Sequence, residues 1–171
     1  MELYEIMHIL FFPGIIIHET AHALACLLLN VPIKKIKFLG KNGGYVIHED
    51  CRTDKIIIIA LFPFLFNILI SLLCARIYLL SFEPFIKLLM VWIGVSSLLF
   101  SIPSDKDSEN AFVAIKKTYT IKQSWGLFLL KILLIPLVLA ILILLGIFKI
   151  FDKFIAIRLI LIAIWLFLFI I

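Results

Sequence analysis

Charge is scarce in this chain: 16% of its 171 residues are Asp, Glu, Lys or Arg, against about 25% in soluble domains. Hydrophobic residues reach 64% and the mean hydropathy is +1.22. This excludes an ordinary water-soluble domain, because a core of this size does not hide so many Leu, Ile and Phe side chains without lipid as a second solvent. Cysteine is also sparse. The three present are odd in number, and Cys26 and Cys74 sit inside apolar runs, which argues against a disulfide framework. Residues 1–5 carry two acids, Glu2 and Glu5, and no base. The basic leader of a secretory signal is therefore missing, and the first apolar run is expected to be retained. Internal repeats and low-complexity linkers are absent as well.

What is present is a succession of apolar runs. They span residues 6–31, 55–80, 84–102, 125–150 and 154–171, and at roughly 20 residues per bilayer crossing they predict an all-α membrane protein with about five transmembrane helices. No room remains for an added soluble domain. Between the first two runs, Ile33-Lys34-Lys35-Ile36-Lys37-Phe38-Leu39 alternates and is followed by Asn42-Gly43 and Tyr45-Val46-Ile47-His48. Asn-Gly tolerates the positive φ of a hairpin turn, so residues 33–48 read as a small β-hairpin against the membrane face. Residues 103–124 are the most polar stretch and are expected to form an acidic loop.

The +5 net charge, 16 Lys and Arg against 11 Asp and Glu, reads as a loop-orientation signal rather than a nucleic-acid site. Ten bases fall on one side (Lys34, Lys35, Lys37, Lys41, Arg52, Lys55, Lys106, Lys116, Lys117, Lys122) and five on the other (Arg76, Lys87, Lys149, Lys153, Arg158). This bias puts the hairpin and the acidic loop in the cytoplasm and the N-terminus outside. Arg76, Lys131 and Arg158 lie near the ends of runs, where snorkelling to headgroups accounts for them.

The first run contains His18-Glu19-Thr20-Ala21-His22, the H-E-x-x-H pattern. Two imidazoles four residues apart share one helical face and can reach a single Zn²⁺, while Glu19, about 100° round the wheel, is placed to act as general base rather than as ligand. Ionisable groups within an apolar run are costly and are functional by default. Cys26 shares the face but reads as a packing residue. A catalytic zinc needs a third protein ligand. His48, Glu49, Asp50 and Asp54 are candidates near the hairpin, but Asp105 and Asp107 are better placed, just past a helix break at Ser101-Ile102-Pro103-Ser104. Asn67, four residues after Pro63, either hydrogen-bonds across helices or donates to a substrate carbonyl or oxyanion.

In this order of motifs the chain resembles the site-2 protease family of intramembrane zinc metalloproteases, over residues 10–115. Pro63 and Asn67 stand where that family has Gly-Pro-x-x-Asn, with Phe62 in place of the Gly and the Asn one residue later. Pro103-Ser104-Asp105-Lys106-Asp107 is similar to the Pro-Ser-x-x-Asp of some small membrane zincins, which favours Asp107 over Asp105 as third ligand. The resemblance implies a catalytic core over residues 1–124 and two additional helices over 125–171. It further implies Zn²⁺ as cofactor, a membrane protein or peptide as substrate, and a site opening toward the cytoplasm, in keeping with a prokaryotic cell membrane. Two other readings compete: a CaaX-processing type of membrane zincin with Glu109 as third ligand, and a non-catalytic metal-binding membrane adaptor.

Overall fold

A computed structural model describes residues 3–40, 43–120, 138–147 and 155–169. The first apolar run is not one helix. It divides into α1 (Leu3–Leu10) and α2 (Phe12–Leu28), with the break at Phe11. Pro13 in the first turn of α2 explains this, since it has no N–H to offer a preceding turn but fits a helix start. The end of α2 is equally local in origin. Asn30 adopts φ 51°, and Val31 N–H donates to Cys26 O while Asn30 N–H donates to Leu27 O. This is a Schellman closure, completed by packing of Val31 with Cys26.

The next two strands, β1 (Ile33–Lys37) and β2 (Tyr45–His48), form a two-stranded antiparallel sheet with Lys37 opposite Tyr45 and Ile33 opposite His48. β1 ends at Lys37 and β2 starts at Tyr45, as a hairpin over residues 33–48 predicts, and Asn42 of the expected turn lies outside the described residues. Gly43 of that turn has φ 92°.

The long helix α3 (Thr53–Leu80) is the hub, packing on α2, on α4 (Pro84–Leu99) and on α5 (Asp105–Thr120). Among the described residues it is the one helix long and apolar enough to cross a membrane. Leu65, Leu69, Leu72 and Leu73 form an apolar exterior on it. Two further apolar helices follow, α6 (Val138–Ile147) and α7 (Ile155–Phe169). The rest of the fourth predicted run, with Lys131, lies outside the described residues.

The expected acidic loop at 103–124 is instead helical over α5. Ser104 caps it, and Ala111, Ala114 and Ile115 at helical spacing bury one face, with Ala111 and Ile115 packed on Ala60 and Leu145. Lys106, Glu109, Asn110, Lys116 and Lys117 lie on the exposed side, while Asp107 and Ser108 face inward.

Gly14 is where α2 meets α4. A Cβ there would run into the Ser96 carbonyl, so Gly14→Ala should push the two helices apart. The expected cost is about 2 kcal/mol, read as a fall in the thermal unfolding midpoint in detergent.

Candidate metal centre

α2 buries one face carrying His18, Glu19 and His22. His18 Nδ1 lies 2.7 Å from Phe100 O and His22 Nδ1 lies 2.9 Å from Ile59 O. A carbonyl oxygen only accepts, so both Nδ1 atoms carry the proton and donate. In a neutral imidazole that leaves Nε2 as a bare lone pair. Both Nε2 atoms face Asp107, His18 at 3.6 Å from Oδ2 and His22 at 3.4 Å from Oδ1, and one ligand atom from each residue falls within 4.8 Å of the others.

Three acceptors converging in a buried place repel one another unless a cation sits among them. The donor set, two imidazole nitrogens and a carboxylate, therefore fits a divalent metal and matches the ligand chemistry of catalytic zinc. A cation bound among the three would hold the Asp107 carboxylate ionised, as ligation requires.

Asp107 is aimed by its own helix start. Ser104 donates from its backbone N–H (3.1 Å) and its hydroxyl (2.6 Å) to Asp107 Oδ2, and Asp107 N–H donates back to Ser104 Oγ at 3.2 Å. This is a reciprocal capping arrangement with Asp at the third helical position. Ser104→Ala should cost about 1 kcal/mol through the cap and weaken metal retention about tenfold through the loss of ligand orientation. Competition against a chromophoric chelator measures the second effect.

A cavity of about 970 Å³ opens on these residues. Glu19 lines it beside the two histidines, and β2 forms its roof from Tyr45 to His48. The hairpin loop closes directly over Glu19, since a Cβ at Gly44 would collide with the Glu19 side chain.

The other candidates from the sequence fall elsewhere. Asp105 lines the cavity but is not in the ligand cluster. Glu109 is exposed and outside both. His48 lines the cavity, with Nδ1 against Glu49 O at 2.7 Å. Cys26 packs with Ala25, Val31 and Ile59. Asn67 is 0% exposed and sits between α3 and α4, donating to Pro63 O (2.9 Å) and accepting from Ser97 Oγ (3.0 Å). It is absent from the cavity lining, and both ends of its carboxamide are occupied, the amide within α3 and the oxygen across to α4.

Arg158 corrects the snorkelling expectation. It is 8% exposed, lines the cavity, and donates from Nη1 to Leu99 O at 2.9 Å. A cation there satisfies a carbonyl left over at the C-terminus of α4, next to the Phe100 carbonyl that holds His18. The sequence signal was available, since Arg158 lies four residues into an apolar run.

No family model matches the chain, and neither does any curated protein or solved structure.

Proposed function

We propose that the protein is an intramembrane zinc metalloprotease of the site-2 protease kind, hydrolysing peptide bonds of transmembrane or membrane-associated proteins. The observation that carries this reading is the convergence of His18 Nε2, His22 Nε2 and the Asp107 carboxylate, with Glu19 in the same cavity wall.

His18, His22 and Asp107 would hold a Zn²⁺ ion, which when bound would supply Lewis acidity toward a peptide carbonyl and lower the pKa of water at the site. Glu19 takes the proton from the attacking water and returns it to the departing amine nitrogen. Its burial keeps that proton from bulk solvent. The β2 strand over the cavity offers backbone donors and acceptors to an incoming segment, which must leave the helical state before its carbonyls are open to attack. In the proposed arrangement α2, α3, α4 and α7 lie in the membrane, with α7 antiparallel to α4, since its Arg158 meets Leu99 at the metal-centre end and its Trp165 meets Gly94 further along, rather than parallel as five alternating crossings would require. The apolar exterior of α3 and the shorter apolar helices support it, and the lysine bias of the sequence orients the N-terminus outside and the centre toward the cytoplasm of a prokaryotic cell.

The test is cleavage of single-span peptides in proteoliposomes, with the cut mapped by mass spectrometry. Cuts within or at the edge of the apolar segment, stopped by a zinc chelator, are expected. Cleavage that survives chelation would overturn the reading.

A further inference from the structure

The two carbonyls that hold the histidines share an unusual chemical circumstance. In an α-helix the carbonyl of residue i accepts from the N–H of residue i+4. For Ile59 that residue is Pro63, inside α3, which has no N–H. The acceptor left open is the one that His22 Nδ1 reaches at 2.9 Å.

Phe100 repeats the arrangement. It follows the last residue of α4, and the next donors along the chain would be residues i+3 and i+4. Residue i+3 is Pro103, again without an N–H, and residue i+4 is Ser104, whose N–H is turned to Asp107 Oδ2 at 3.1 Å. The Phe100 carbonyl is thereby open to His18 Nδ1 at 2.7 Å.

We infer that Pro63 and Pro103 are positioning residues for the metal centre: each withholds a backbone donor, so that the Ile59 and Phe100 carbonyls accept the Nδ1–H groups of His22 and His18 and turn both Nε2 atoms toward Asp107. The inference rests on the metal site proposed above. It assigns the two prolines a role distinct from bending the chain. Each is four residues or fewer from the carbonyl it frees, whereas the histidines it serves are 37 and 82 residues away from those carbonyls.

The decisive feature of the test is that stability and metal affinity move apart. Pro63→Ala restores a helical donor and a helical hydrogen bond, so thermal stability should hold or rise. The restored N–H competes for Ile59 O, and zinc affinity in a chelator competition should fall about tenfold, as for other outer-shell changes. Pro103→Ala should act in the same sense on His18.

A second readout needs no metal. In protein labelled with ¹⁵N-histidine and stripped of metal, both rings of the wild type should show the Nδ1–H tautomer, and Pro63→Ala should convert His22 to a tautomer mixture. Unchanged tautomers with zinc affinity within about twofold of wild type, well short of an outer-shell effect, would overturn the inference. So would affinity losses that merely follow losses of stability. Failure of the metal reading itself is separately visible, as a wild type that takes up no zinc while its histidines still show the Nδ1–H tautomer.

Discussion

Purified from the membrane without chelator, the wild-type protein should carry about one zinc per chain, and His22→Ala should carry almost none. Elemental analysis reads this directly. The size of the effect follows from the ligand count. Among the described residues three side chains converge on the site, and removing one leaves two, while the remaining His18 Nε2 and Asp107 carboxylate still face each other at 3.6 Å. The loss should exceed the roughly 10–100-fold of an outer-shell change. Asp107→Ala should behave like His22→Ala, and Asp105→Ala should keep its metal, because Asp105 lies outside the cluster. Equal metal content in the Asp107→Ala and wild-type proteins would remove Asp107 from the ligand set. Chelation should also lower the unfolding midpoint, since binding to the folded state alone stabilises by about 2.7 kcal/mol at a hundred times the dissociation constant.

Glu19→Gln should separate binding from chemistry. The substitution keeps shape and burial but cannot accept a proton, so turnover should fall by roughly 10²–10⁴, with zinc content unchanged. A protein that bound metal only for structure or as an adaptor would keep its phenotype in this variant. The site makes a clean separation plausible on geometric grounds. Glu19 lines the cavity beneath the hairpin but is not among the residues whose ligand atoms converge. Undiminished cleavage by Glu19→Gln would assign proton transfer to another group and sink the mechanism proposed here.

Several features were legible without any tertiary information because their causes are local. Helical periodicity put His18 and His22 on one face, and α2 does bury both. Alternation around Gly43 pointed to the hairpin, and Pro103-Ser104 marked the break before α5. The departure at α5 is local too. The charge of residues 103–124 reads as a loop, whereas Ala111, Ala114 and Ile115 at helical spacing bury one face of the capped helix α5.

The sequence by itself determined the mainly helical class, the strand pair, the breaks at proline and two of the candidate ligands, since each depends on residues within one or two turns of one another. Tertiary structure decided the rest. Asp107 rather than Asp105 completes the cluster because the Ser104 cap sets the phase of α5, and a difference of two residues is about 200° around a helix. Asn67 belongs to the α3–α4 contact because Ser97 stands opposite it. Arg158 enters the site because α7 packs on α4 and brings a cation to Leu99 O. The histidine tautomers depend on carbonyls 37 and 82 residues distant. Such pairings carry no local periodicity, so only the folded packing of the helices creates them.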